Sequence, residues 1–181
     1  MEELLLQIGG ACLRALGEEH PLTLLAIGQL TETYSNTGKW KDAEELQLQV
    51  RDVCLQVLGA EHPYTLSAIG SLAQTYSNTE RWKDAEGLQL QVRNACLRVF
   101  GAEHAETLSD IGNLPETYGK QGRWEEAREL QVQVRDTRLR VLGAEHAETP
   151  SAMGNLAETY GKQRRLNESE ELQLQVRNAQ L

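Results

Sequence analysis

The sequence repeats itself every 42 residues, and this period constrains the fold more than any other feature of the chain. Residues 59–100 and 101–142 align without a gap and share 23 of 42 residues. A period of this length is typical of an array of structural units that each pack against their neighbours. The recurring positions are His20, His62, His104 and His146; Gly17, Gly59, Gly101 and Gly143; Tyr34, Tyr76, Tyr118 and Tyr160; and Arg51, Arg93, Arg135 and Arg177.

Each repeat is predicted to contain two α-helices. In the second repeat the first helix runs from Pro63 to Asn78 and the second from Trp82 to Phe100. Apolar residues recur at intervals of three and four in both segments, which indicates one buried face on each helix. The buried stripes are expected at Ile69, Leu72, Ala73 and Tyr76 in the first helix and at Ala85, Leu88, Val92, Ala95 or Cys96, and Val99 in the second.

The segments between the helices carry helix-ending and helix-starting residues. Gly59 precedes Ala60-Glu61-His62, and glycine suits the left-handed position after a helix. Pro21 and Pro63 then occupy places where a first helical turn tolerates a missing N–H. The turns within each repeat are short, as in Gln121-Gly122-Arg123, so the two helices must be antiparallel neighbours.

These patterns predict an all-α solenoid of antiparallel helix pairs with about nine helices. We expect a single repeat domain over residues 1–181. It contains a half repeat at 1–16, full repeats at 17–58, 59–100 and 101–142, and a truncated last repeat at 143–181. A solenoid needs polar terminal caps, and neither end reads as one, so we expect a fragment of a longer array.

Two short motifs carry a resemblance to a known family. Asn155-Leu156-Ala157-Glu158-Thr159-Tyr160 and Gly122-Arg123-Trp124-Glu125-Glu126-Ala127 resemble the tetratricopeptide repeat. The 42-residue period and the linker from Leu58 to Pro63 resemble the variant in kinesin light chains. They are more similar still to repeat arrays at the C-terminus of fungal nucleotide-binding, immune-receptor-like proteins. The resemblance implies a right-handed superhelix whose first helices line a concave groove.

The resemblance also implies which side chains face that groove. In the family, groove asparagines bind the backbone of an extended peptide, and only Asn113 and Asn155 keep that residue type here. Leu25, Gly28, Ser67, Gly70, Ser109, Gly112, Ser151 and Gly154 fall on the same faces. The candidate binding residues are Gln29, Glu32, Ser71, Gln74, Asn113, Glu116, Asn155 and Glu158.

Recurring histidines and cysteines invite metal-binding or catalytic interpretations, which the period argues against. Equivalent positions in stacked repeats lie on the order of 10 Å apart, too far for one zinc ion or a disulfide. The histidines are therefore interpreted as helix-start residues. Cys12, Cys54 and Cys96 are interpreted as buried thiols in a reducing compartment. No metal, cofactor or catalytic residue is predicted, and the chain is not expected to be an enzyme.

Other recurring residues leave two interpretations open. The mid-helix glycines at 28, 70, 112 and 154 serve either close helix packing or a groove floor kept open for a ligand backbone. Trp40, Trp82 and Trp124 either staple the helix pair or bind a partner. Pro115 should kink its helix, and Leu166 and Ser169 should weaken the last repeat. Gln47, Gln49, Gln89 and Gln91 are expected to form a solvated polar face.

The net charge of −9 argues against nucleic-acid binding, which needs a basic surface. No apolar run approaches a membrane span, and the first residues lack the basic region of a secretory signal. We therefore predict a cytoplasmic protein- or peptide-binding scaffold within a larger signalling protein. Glu32, Glu116 and Glu158 favour a basic or neutral partner. The alternatives are head-to-tail self-assembly and a cargo adaptor as in kinesin light chains.

Overall fold

A computed structural model describes residues 7, 11, 14–17 and 20–178, apart from the side chains at 21, 24, 106 and 178. Residues 21–178 form eight α-helices, and the described residues contain no strand. The helices are α1 (Pro21–Asn36), α2 (Trp40–Val57), α3 (Pro63–Asn78), α4 (Trp82–Val99), α5 (Ala105–Lys120), α6 (Trp124–Leu142), α7 (Glu148–Lys162) and α8 (Leu166–Asn178). Of the half repeat expected at 1–16, residues 7, 11 and 14–16 are helical, whereas Cys12 lies outside the described residues.

The chain divides into two compact units, Met1–Ala95 and Cys96–Leu181. In the first unit, α2 packs against both α1 and α3. Its Leu46 joins a cluster with Leu30, Tyr34 and Ala43 of the same repeat. The neighbouring Leu48 joins the cluster of the next repeat, formed by Leu72, Tyr76 and Ala85. The second helix of a repeat therefore contacts two first helices.

The second unit has the same design. Here α6 packs against both α5 and α7, and α8 packs against α7. Val132 of α6 packs against a cluster of Met153, Leu156, Ala157 and Leu172. Leu156 is completely buried, which corresponds to about 1.5–3 kcal/mol for a leucine side chain.

Buried threonines join two of the first helices, α3 and α7, to the end of the preceding second helix. Thr65 Oγ1 donates to the carbonyl of Cys54 at 3.2 Å. Thr149 Oγ1 donates to the carbonyl of Gly143 at 2.7 Å. The carbonyl of Cys54 also accepts the backbone N–H of Leu58 at 2.9 Å, so Thr65 adds a second bond to it. The two threonine bonds connect each of these first helices directly to the backbone at the end of the helix before it.

The apolar stripe predicted for the first helix is confirmed, since Ile69, Leu72, Ala73 and Tyr76 are buried. The apolar stripe predicted for the second helix is buried or partly buried, except at its last residue. Val99 is 43% exposed because it lies in the last turn of α4, which ends one residue before Phe100.

Two predictions about polar residues of the second helices differ from what the structure shows, one about glutamines and one about Ser169. Gln47 and Gln89 are buried, not solvated, because each lies four residues after a buried alanine on the inner face of its helix. The neighbouring glutamines at 49 and 91 are exposed as predicted. Ser169 is buried and donates to the carbonyl of Ala157 at 2.8 Å, so it adds a bond between α7 and α8.

Candidate partner-binding surface

The first helix of every repeat exposes one polar face. On α1 and α3 this face carries Gln29, Glu32, Ser71 and Gln74, and on α5 and α7 it carries Asn113, Glu116, Asn155 and Glu158. All eight residues predicted as candidate binding residues are exposed on their helices. Gln74 Nε2 donates to Asn78 Oδ1 at 3.2 Å, within the same helix.

The glycines of these faces border open space. A Cβ added at Gly28, Gly70, Gly112 or Gly154 would meet no atom within 4 Å. The interpretation that these glycines allow close helix packing is therefore wrong. Glycine in a helix interior costs about 1 kcal/mol relative to alanine, and nothing in contact with these positions within either unit requires it.

The two units differ in the charge of their first helices. Glu32 is the only charged residue of α1, and α3 has none. In contrast, α5 contains Asp110, Glu116 and Lys120 besides Glu106, and α7 contains Glu148, Glu158 and Lys162. The first unit therefore presents nearly neutral helix faces, and the second presents charged ones.

A cation lies over a tyrosine ring in every described repeat. The guanidinium carbons of Arg81, Arg123 and Arg165 lie 3.9, 4.2 and 4.5 Å from the centroids of the Tyr76, Tyr118 and Tyr160 rings. Lys39 Nζ lies 5.5 Å from the centroid of Tyr34. Sequence reasoning missed this contact, although a basic residue five places after each recurring tyrosine was a visible signal.

The same arginines bond carboxylates beside the turn. Arg81 bonds Glu44 of the preceding repeat at 2.7 Å and Asp84 at 2.9 Å, and these hydrogen bonds raise its pKa further above its usual range. Hydrogen bonds from Arg123 and Arg165 lower the pKa of Glu126 and Glu168, respectively. These cations are committed to the scaffold and leave little free charge for an anionic ligand.

The recurring histidines mostly serve as helix-start residues, as predicted. Nδ1 of His20 accepts from the N–H of Leu22 at 3.2 Å, and Nδ1 of His62 accepts from Tyr64 at the same distance. His146 Nδ1 accepts from Glu148 at 3.4 Å. In the fourth case, His104 stacks on Phe100, with ring centroids 4.7 Å apart.

The tryptophan that begins α6 packs on the end of α5. A Cβ added at Gly119 would lie 2.7 Å from the Trp124 ring, so the ring occupies the space above this glycine. This contact supports the interpretation of Trp124 as a staple of the helix pair. Leu166, which replaces tryptophan in the last repeat, is 62% exposed and provides no comparable cover.

The two described cysteines are small residues of the core. Cys54 and Cys96 are buried free thiols, and burial raises the pKa of the Cys54 thiol. Cys96 Sγ donates to Asp110 Oδ2 at 3.0 Å. Within the described ranges, no group of three His, Cys, Asp or Glu side chains could hold a metal ion.

Two open clefts of about 380 and 350 Å³ lie beside the turns. The first is lined by Gly122, Arg123, Trp124, Glu125, Glu126 and Gln163, and the second by Arg51, Tyr76, Arg81, Lys83, Asp84, Gly87, Leu88 and Gln91. Neither cleft includes any of the candidate binding residues. None of the described helices combines the length and the hydrophobicity that a membrane span requires.

These features define a helical repeat protein in which the first helix of each described repeat has an exposed face. A sequence profile of the tetratricopeptide repeat family matches residues 32–98 and 111–180. The chain belongs to the tetratricopeptide repeat family. No curated protein gives a significant match in sequence.

Solved structures support the same assignment. Nearly identical TPR-like repeats of a protein described as a kinesin light chain from Podosopora anserina align with a TM-score of 0.88 and 30% identity, over 99% of this chain and 85% of that one. BtubC (BKLC) from P. vanneervenii aligns with a TM-score of 0.81 and 16% identity, over 98% of this chain and 69% of that one. MamA aligns with a TM-score of 0.65 and 12% identity, over 96% of this chain and 85% of that one. The last two similarities concern the fold alone.

Proposed function

We propose that this chain is the partner-binding repeat region of a larger intracellular signalling protein. In this proposal the exposed faces of the first helices bind an extended segment of another protein. The observation that carries the proposal is the open space over Gly112 and Gly154, next to exposed Asn113 and Asn155. Without a Cβ, the helix lets a ligand backbone approach closely, and an adjacent amide can both donate to and accept from that backbone.

The acidic residues of the same faces favour a basic or neutral partner. Glu116 lies three residues after Asn113, and Glu158 lies three residues after Asn155, so each pair shares one side of its helix. Charged groups of this kind contribute more to association rate and selectivity than to affinity. On the faces of α5 and α7 the proposed ligand is therefore a neutral or basic peptide held chiefly through its backbone.

The test uses peptides selected from a random library on the whole chain, with affinities measured by calorimetry. Replacing Asn113 and Asn155 together with alanine should weaken binding by about tenfold, because two hydrogen bonds to the ligand are lost. Asn94→Ala is the matched control, since Asn94 is exposed on the second helix α4. Unchanged affinity in the double variant would remove these faces from the proposal.

The glycines provide an independent arm of the test. Gly112→Ala and Gly154→Ala should each stabilise the fold by about 1 kcal/mol, since the added methyl group meets open space. The same variants should weaken peptide binding because the methyl group blocks backbone approach. Greater stability with full affinity would show that these glycines have no binding role.

The parent protein is proposed to be of the fungal nucleotide-binding, immune-receptor-like type, and to act in the cytoplasm. Support comes from the motifs in the linker and from the buried free thiols Cys54 and Cys96, which suit a reducing compartment. The 30% identity to the kinesin-light-chain repeats supports a cargo adaptor as the alternative parent. Neighbouring sequence distinguishes the two, since a phosphate-binding loop favours the receptor and a coiled coil favours the adaptor.

Self-assembly is a second candidate, and one residue favours it. Leu174 of α8 is 53% exposed. The corresponding residues of earlier repeats, Leu48 and Val132, pack against the first helix of the following repeat. A second copy that covered this face would extend the stack. Sedimentation across a dilution series should then show association that Leu174→Glu abolishes, whereas a constant monomer mass argues against it.

A further inference from the structure

Helix α1 exposes two leucines on one side. Leu22 is 54% exposed and Leu25 is 58% exposed, and their spacing of three residues places them together on the helix surface. Tyr64, the residue of α3 that corresponds to Leu22, is 70% exposed. Single exposed apolar residues are ordinary, whereas the adjacent leucines of α1 form a small apolar patch.

The repeat architecture does not require these leucines. Ser67, Ser109 and Ser151 occupy the position of Leu25 in the other repeats and are exposed as well. Glu148 occupies the position of Leu22 in the last repeat. Because the same helix forms with polar residues there, packing does not explain why α1 carries apolar ones.

The face that carries the leucines ends in a single negative charge. Glu32 lies seven residues after Leu25 and is the only charged residue of α1. Seven residues correspond to about 10 Å along a helix, and an extended peptide covers that distance in about three residues. Gly28 lies between them and borders open space, so a peptide backbone can run along the surface.

We infer that the exposed face of α1 binds an extended peptide in which an aliphatic or aromatic side chain covers Leu22 and Leu25 and a lysine or arginine about three residues away pairs with Glu32. This inference rests on the proposed function and specifies the partner of the first unit. Apolar burial supplies most of the affinity, and the ion pair sets the direction and register of the peptide. The second unit keeps the acidic residues but has serine where this anchor would lie.

The test uses synthetic fluorescent peptides of twelve residues in a Gly/Ser background, measured by fluorescence anisotropy on the whole chain. The probe peptide has one Phe and one Lys three residues apart, and the reference peptide has Ser in place of Phe. The probe should bind saturably, and Leu25→Ser should weaken it at least about tenfold, towards the affinity of the reference peptide. Leu25→Ser introduces the residue that the other three repeats already carry, so the fold should be retained.

The role of the Glu32 charge is tested separately by reversing its sign. Glu32→Lys should weaken binding of the probe peptide and restore binding of a peptide in which Glu replaces Lys. Val57→Ser is the control, because Val57 is 42% exposed but lies on α2. Absence of saturable binding to the probe, or an unchanged affinity in Leu25→Ser, overturns the inference.

The outcome also separates this inference from the proposed function. If library-selected peptides depend on Asn113 and Asn155 while Leu25→Ser leaves binding of the probe peptide unchanged, the assignment of α1 fails and the proposed function stands. If none of these substitutions changes binding of any peptide, both fail.

Discussion

The guanidinium of Arg81 lies over the ring of Tyr76, 3.9 Å from its centroid, and at the same time bonds Glu44 of the preceding repeat at 2.7 Å. One side chain therefore connects the end of a first helix, the turn that follows it and the neighbouring repeat. A cation over an aromatic ring contributes about 0.5–1 kcal/mol at an exposed site, and an exposed ion pair contributes up to about 1 kcal/mol.

Replacement of Arg81 should therefore destabilise the first unit. We expect Arg81→Met to lower the free energy of unfolding by about 1 kcal/mol, measured by urea denaturation. Lys83→Met, at an exposed site two residues away, is the control for the loss of a positive charge. A double-mutant cycle with Tyr76→Leu should give a coupling energy of about 0.5 kcal/mol or more. A coupling energy near zero would contradict a direct interaction between the ring and the cation.

One residue in each turn within a repeat has a left-handed backbone conformation, and it is not always glycine. Glu80 and Arg164 have φ of 61° and 60°, whereas Gly38 and Gly122 occupy the same position with φ of 73° and 76°. A side chain in this conformation costs about 1–2 kcal/mol, partly offset by the greater flexibility of glycine in the unfolded chain.

Glu80→Gly and Arg164→Gly should each raise the free energy of unfolding by about 0.5–1 kcal/mol. The reverse change, Gly122→Ala, should destabilise the fold by a similar amount. Thermal and chemical denaturation of the three variants provide the comparison. If both glycine variants are less stable, the side chains of Glu80 and Arg164 stabilise the fold by more than their left-handed backbone conformation destabilises it, and the prediction is wrong.

Helix α5 continues through Pro115, and the proline is buried. The residue lacks an N–H, so the carbonyl of Ile111 loses its usual partner within the helix. Ala73 and Ala157 occupy the corresponding positions of the second and fourth repeats. Pro115→Ala should therefore raise the free energy of unfolding, with an upper limit of about 3 kcal/mol. Ala73→Pro is the converse variant, and equal stability of both variants and the original chain would refute the argument.

The histidine that precedes α3 acts as an N-cap through Nδ1. His62→Ala should destabilise the chain by about 1 kcal/mol, the usual loss for an N-cap side chain. His62→Asn should retain most of the stability because its side-chain oxygen can accept the same N–H. Urea denaturation of both variants gives the comparison, and equal losses would show that the cap bond contributes nothing specific.

Two glutamates link stability to acid pH. Hydrogen bonds from Arg123 and Arg165 hold the pKa of Glu126 and Glu168 below the ordinary value of 4.5. A carboxylate whose pKa is lower in the folded state stabilises that state above its unfolded pKa. The contribution is lost as the pH falls through the folded pKa.

Stability should thus decrease below about pH 4.5, and the decrease should be smaller in a Glu126→Gln, Glu168→Gln variant. Both side chains are exposed enough for salt to screen the effect, so the measurement is made at low ionic strength. Glu45→Gln, at an exposed site on α2, is the control for net charge. A pH profile that both glutamine replacements leave unchanged would contradict the linkage.

Periodicity determined most of the fold correctly. The bounds of α3 agree with the prediction at both ends because Pro63 and the turn after Asn78 mark them in the sequence. The left-handed glycines at 59, 101 and 143 were identifiable because few other residues adopt that conformation. These features depend on the local backbone preferences of proline and glycine, which can be predicted from the residue type alone.

The errors concern residues whose environment depends on more than one helix. Gln47 reads as polar and solvated, yet it lies on the face that α2 turns towards its neighbours. For the mid-helix glycines the sequence left two interpretations open, and only the space around them shows that no neighbour approaches.

The sequence by itself determined the repeat, the helix pairs, their ends and the family, because period and capping residues act over short distances along the chain. The tertiary structure decided which carboxylate of the preceding repeat Arg81 meets, which glutamines are buried and where the leucines of α1 remain exposed. Those properties depend on contacts between helices, such as the one between Arg81 and Glu44. No pattern within one helix specifies the neighbour that a side chain meets, because that neighbour belongs to another helix.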